Sequence, residues 1–146
     1  KVSPKTYYGV LKAAGDMIVN RAKCPSTIVR HLFAYGGDGD MNSLIAKTIF
    51  SSWKGKEKLD MFLDPAKIKD YIFVDDFCEA VALICEREMW DHDFIVSAQD
   101  PHTISDVCDV VSKHCDPQNL PSKFMKWHQE TDYLGNHRLS SAKFRR

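Results

Sequence analysis

The apolar positions change period twice in the first thirty-five residues, and each change marks a new element. Val10, Leu11, Ala14, Met17 and Ile18 recur three and four apart, so residues 6–22 read as an amphipathic helix, with Pro25 closing the segment. "STIVRHLF" (26–33) is short and β-branched and fits a fully buried strand. "AYGGDGD" (34–40) reads as a loop on its glycines, and helical spacing returns in "NSLIAKTIFSSW" (42–53), which stops at Gly55. "KLDMFL" (58–63) and "DYIFV" (70–74) read as short strands.

Two further helices have sharper signals. In "DDFCEAVALICEREM" (75–89), Phe77, Ala80, Val81, Ile84 and Cys85 keep the i, i+3, i+4, i+7 spacing, and Asp76 with Glu79 gives a capping signal. "DFIVSA" (93–98) reads as a strand. "TISDVCDVVSKHC" (103–115) reads as a helix capped by Thr103 and Asp106, with Ile104, Val107, Cys108, Val111 and Cys115 on its apolar side and Asp116-Pro117 ending it. "SKFMKW" (122–127) is the last strand signal. Strands alternating with amphipathic helices predict an α/β fold with some parallel pairing.

Composition narrows the function classes. The 146 residues are 44% apolar and 27% charged with a net charge of zero, enough for a domain with a real core. There is no basic field to recruit nucleic acid or an anionic membrane, no apolar run long enough to span a bilayer and no signal-peptide pattern. The five cysteines include no C-x-x-C; Cys78/Cys85 and Cys108/Cys115 are each seven apart. They read as small buried core residues in a reducing cytoplasm, and the odd count argues against a fully paired disulfide framework.

Several motifs fall short. "GGDGDMN" (36–42) puts Asn42 where a dinucleotide fingerprint needs its third glycine, and Ser43 and Ile49 where a calcium loop needs Gly and Glu, so a plain turn is expected. "WDHDF" (90–94) lacks a second ligand cluster and reads as a solvated turn. Tyr8 and Lys12 remain. Four residues apart on a helix, they share a face. A nearby ammonium stabilises phenolate, and a tyrosine so tuned exchanges a proton with an alcohol or ketone. On spacing alone the same pair also fits an ordinary solvated helix face.

The pair has company. "YGVLKAAGD" (8–16) resembles the Y-G-x-S-K-x-x-G-E segment of extended short-chain dehydrogenases/reductases, the NAD-dependent epimerase/dehydratase family. "TIVRHLFAYGG" (27–37) resembles that family's next strand, "KDYIFVDDFCEAV" (69–81) its R-D-F-I-H-V-D-D segment, "DFIVSAQDPHTISDVCDVV" (93–111) the strand, turn and helix that follow, and "HRLSSAKF" (137–144) a late segment. Five segments in family order span nearly the whole chain.

The resemblance implies the C-terminal part of a Rossmann-type NAD(P)-binding fold plus a small α/β substrate-binding domain. Residues 1–36 would end the Rossmann domain and 37–146 would be mainly the substrate domain, with a strand and helix near 68–88 returning to the Rossmann sheet. Tyr8 would be the acid/base and, with Lys12 and His31, one of the residues that bind NAD or NADP; Lys12 would support Tyr8 and hold the nicotinamide ribose, with His31 beside the nicotinamide. Phe33, Lys69 and Arg138 fall at substrate-binding positions. The substrate would be a nucleotide sugar or another small molecule, and the helix carrying Tyr8 and Lys12 would build a homodimer.

Only seven residues precede Tyr8, too few for the family's glycine fingerprint or its catalytic Ser/Thr. Ser3 and Thr6 lie too close to serve, so the N-terminal Rossmann half is expected to be absent and the isolated chain inactive and self-associating. The family's strand Pro is His31 here, its Asn is Phe33, the Pro of Y-G-P is Gly37, the Arg of R-D is Lys69 and the Ser before the Lys is Leu11. These departures leave two alternatives beside an epimerase/dehydratase: a reductase of a non-sugar substrate, or a non-catalytic association module.

Overall fold

A computed structural model of the chain describes residues 3–37, 45, 59–61, 64–115 and 125–127. The predicted helix over 42–53 and the calcium-loop positions from Asp38 onward lie outside the described residues, apart from Ile45, which is helical. So do Arg138 and the "HRLSSAKF" segment.

Helix α1 spans Tyr7–Val19. Thr6 caps it, its Oγ1 accepting the Gly9 N–H at 3.1 Å. Three residues fewer than expected are helical after Ile18–Val19, because Arg21 and Ala22 donate to Ile18 and Val19 in tighter turns. The chain then forms β1 (Ile28–Arg30) and β2 (Phe33–Tyr35). The single strand expected over 26–33 is therefore two, and Ala34–Tyr35, expected in a loop, are strand. The reason is a change of sheet. β1 pairs in parallel with β5 (Asp93–Ile95), whereas β2 pairs in parallel with β4 (Ile68–Phe73). His31 and Leu32 are the link.

Strand β4 is central in the order β2-β4-β6, with β6 (Pro101–Thr103) antiparallel to it. A separate parallel pair joins β3 (Leu59–Met61) to β7 (Met125–Trp127). Both predicted strand segments, "KLDMFL" and "SKFMKW", thus contain strands.

Helix α2 (Val74–Glu86) runs straight out of β4. Its N-cap is Phe73, which makes no side-chain capping bond, so the expected Asp76/Glu79 cap is not used. Instead Asp75 and Asp76 sit in the first turn, where they favour the helix dipole. Ala80 of α2 joins Ile72 of β4 and Val96 after β5 in a buried cluster, with Val29 of β1 and Phe77 packed against it. This cluster holds the two sheets together. Cys78 and Cys85 are exposed, contrary to the core role expected of them. The buried side of α2 runs through Ala80 and Ile84; Cys85 lies one residue past Ile84 and Cys78 two before Ala80, about 100° and 160° round the helix from them. Cys108 is buried, as expected.

Helix α3 (Ile104–Cys115) has the predicted capping box. Thr103 Oγ1 accepts the Asp106 N–H at 3.0 Å, and Asp106 Oδ2 accepts from the Thr103 N–H and hydroxyl at 3.2 and 2.6 Å. These bonds hold the Asp106 carboxyl below its ordinary value, the Thr103 hydroxyl contributing most. A depressed folded-state value stabilises above the unfolded value and is lost as pH falls through the folded one. Acid should therefore weaken the α3 N-terminus below about pH 4. Thr103→Ala should cost about 1 kcal/mol in urea unfolding and flatten that acid response; an unchanged midpoint would remove the box from the account.

Gly36 is fixed by two constraints. Its φ is +110°, and an added Cβ would stand 2.4 Å from Phe73 Cε2. Gly36→Ala should destabilise the chain by about 1–3 kcal/mol and shift the Phe73 ring resonances; wild-type stability would show that the turn is looser than this geometry.

Candidate functional site

Tyr8 and Lys12 lie on the same side of α1, with Lys12 Nζ 5.4 Å from the Tyr8 ring centroid. Tyr8 is 70% exposed. Tyr7, next to it, is 93% exposed. Thr6 is occupied as the helix cap.

No residue of α1 is buried, so what aligns it is polar. Arg30, at the end of β1, donates to Asp16 of α1 at 2.5 Å and to Asp93 of β5 at 2.9 Å. Partial burial opposes the Arg30 charge, but the two carboxylates outweigh it and raise its pKa. Ser26 adds a bond from its hydroxyl to the Val19 carbonyl at 3.4 Å. Breaking the bridge with Arg30→Ala should lower stability by about 1 kcal/mol, because the bridge is partly solvated, and should increase amide exchange along α1. Exchange unchanged there would contradict the tether.

His31 follows β1 at its carboxyl end, where parallel α/β sheets place their ligands. Its ring stands 4.5 Å from Phe77. Phe33 and Lys69, read from sequence as separate substrate positions, are brought together: Lys69 Nζ lies 5.2 Å from the Phe33 ring centroid, and Lys69 is 5% exposed. Phe33 also meets its register partner Tyr71 at 5.6 Å, as Tyr35 meets Phe73. Arg138, the third substrate position, lies outside the described residues.

Sequence reading missed a cavity of about 310 Å³ beside this aromatic wall. Tyr35, Tyr71 and His102 from the β2-β4-β6 sheet face Val107 and Val111 of α3 across it. The Tyr71 hydroxyl is pushed up to about 12, by burial first and by Cys108 second. The alternation in "KDYIF" was the available signal, since it puts Lys69, Tyr71 and Phe73 on one face of β4. The other face carries Asp70, 2% exposed, whose carboxylate oxygens have no hydrogen-bond partner among the described residues; the buried Ser97 hydroxyl has none among them either. Among the described residues no cluster of three metal-ligating side chains exists, and no helix is long and apolar enough to cross a membrane. Asp91 and His92 of "WDHDF" are exposed in a turn, as expected.

The chain resembles solved structures over nearly its whole length. It aligns with a dTDP-glucose 4,6-dehydratase from Bacillus anthracis in complex with NAD at a TM-score of 0.85 and 18% identity, covering 98% of this chain and 46% of that one. For a UDP-glucose 4-epimerase from Thermotoga maritima with UDP-glucose the values are 0.81, 19%, 97% and 46%. A UDP-glucuronic acid and NAD complex of MoeE5 gives 0.83, 14%, 98% and 49%. The chain thus spans just under half the length of these structures, and at such identities they establish the fold: a Rossmann-type α/β arrangement. No curated protein sequence matches it. The sequence model of the NAD dependent epimerase/dehydratase family matches residues 1–96, which include Tyr8, Lys12, the β1–β2 link and all of α2. By that match, the chain belongs to the NAD dependent epimerase/dehydratase family.

Proposed function

We propose that the full-length protein is an NAD(P)-dependent epimerase or dehydratase of nucleotide sugars, with Tyr8 as its acid/base. One observation carries this reading: an exposed Tyr8 hydroxyl group on a helix that also holds the Lys12 ammonium against the same ring. The Tyr8 oxygen takes the proton of a sugar hydroxyl as hydride leaves the carbon bearing it, and returns that proton when hydride comes back. Lys12 keeps its ammonium beside the Tyr8 ring. Its exposed ammonium also suits the ribose hydroxyls of a dinucleotide, and His31 at the end of β1 suits the nicotinamide side. The bound nicotinamide would supply the hydride acceptor. Phe33 and Lys69 would contact substrate from the adjoining sheet, as would Arg138.

A reductase of a non-sugar substrate is the second reading. The burial of Lys69 against Phe33 favours it, because a covered ammonium is poorly placed for a diphosphate. Family membership and the Rossmann-type fold support the first. A panel of nucleotide sugars, offered to the full-length protein with NAD and with NADP, separates them. Conversion of at least one nucleotide sugar is expected; conversion only of uncharged alcohols or ketones would establish the second reading instead.

The helix is also the proposed dimer surface. Tyr7, Val10, Leu11, Met17 and Ile18 are all more than half exposed. An apolar helix side of this kind is ordinarily covered by a partner. The chain should gain mass with concentration in light scattering, and Leu11→Glu with Ile18→Glu should restore a monomer. A wild-type monomer at high concentration would count against the proposal.

A further inference from the structure

We propose that the cavity between the β2-β4-β6 sheet and α3 binds a neutral aromatic or alicyclic ring. Its volume, about 310 Å³, lies at the lower end of the range for small-molecule sites. Two of its walls suit a flat apolar body. Tyr35 and Tyr71 belong to cross-strand aromatic pairs, so neither ring turns freely, and Val107 and Val111 face them from α3.

The charges decide which rings fit. Among the described lining residues the ionisable groups besides the tyrosines are Asp100, Asp106 and His102, and no lysine or arginine is present. Asp106 is engaged in the α3 cap, and Asp100 lies 3.1 Å from His102 Nε2. The cation nearest in register is Lys69, which faces His102 across β4–β6, but it is buried over Phe33. An anionic ligand would therefore meet two carboxylates with no free cation among the described lining residues, whereas a neutral ring meets apolar walls. The polar rim offers one hydroxyl group a partner in His102, whose Nε2 is held by Asp100 and whose other ring nitrogen is left to accept. None of the described lining residues belongs to α1, so the inference is independent of the acid–base reading of Tyr8 and survives its failure.

The test uses two probes of one shape, 2-naphthol and 2-naphthalenesulfonate, titrated into the chain and followed by saturation-transfer NMR. The neutral probe should bind saturably, and the sulfonate about ten-fold or more weakly, since charge is the main difference. Val111→Trp should fill the cavity and weaken 2-naphthol about ten-fold or more. Val110→Trp, at a lining position 58% exposed, does the same with less risk to folding. Equal or tighter binding of the sulfonate would overturn the proposal. So would 2-naphthol binding that survives both tryptophan variants in folded protein.

Discussion

Tyr8→Phe in the full-length protein should lower kcat by about 10²–10⁴-fold, the usual contribution of a positioned acid/base, and leave cofactor affinity unchanged. The variant keeps the ring beside Lys12 Nζ and deletes only the oxygen proposed to exchange the proton. Tyr7→Phe is the matched control. Tyr7 is one residue away and 93% exposed, and Lys12 stands over Tyr8; its loss should leave kcat within about two-fold. Equal damage from both variants would assign the effect to helix disturbance, and undiminished turnover in Tyr8→Phe would remove that residue from the mechanism.

Asp70→Leu should stabilise the chain by about 1–3 kcal/mol in urea unfolding. Asp70 sits on the face of β4 shared with Ile68 and Ile72, 2% exposed, and neither carboxylate oxygen has a partner among the described residues. Burying a polar group without hydrogen bonds costs free energy that an apolar side chain of similar size does not incur. Ser97→Ala should give a smaller gain for the same reason. A loss of stability on Asp70→Leu would show that the carboxylate is satisfied in solution by a group this geometry does not contain.

Local signals were legible where periodicity and capping agreed. The α3 box was written in Thr103 and Asp106 and formed as expected, and α2 followed its i, i+3, i+4 spacing through Ala80 and Ile84. What periodicity could not show was the change of sheet. Nothing in "STIVRHLF" distinguishes a run in one sheet from a run split at His31–Leu32, because both halves are β-formers. The α2 N-cap, Phe73, lies three residues before the expected Asp76, since β4 passes directly into the helix and the first turn has no side-chain cap.

The same limit applies to burial. The apolar side of α1 was predicted correctly, yet it is exposed, because a hydrophobic stripe specifies a need for cover and not what supplies it. The exposed Cys78 and Cys85 repeat the point: a spacing of seven puts two residues on one face without saying which face is buried. At the site, spacing alone brought Tyr8 to Lys12, and five ordered segments named the family. The contact between Lys69 and Phe33 needed the register of β2 against β4, which no single segment contains.

Hydride chemistry at a sugar carbon, with Tyr8 as its acid/base, is open to test by isotope transfer. The full-length protein, loaded with NAD, is mixed rapidly with a nucleotide sugar deuterated at the carbon to be oxidised. Reduced-nicotinamide absorbance should appear within one turnover, slowed by the deuterium and lost in Tyr8→Phe. Product formed with no reduced nicotinamide and no isotope effect would contradict it.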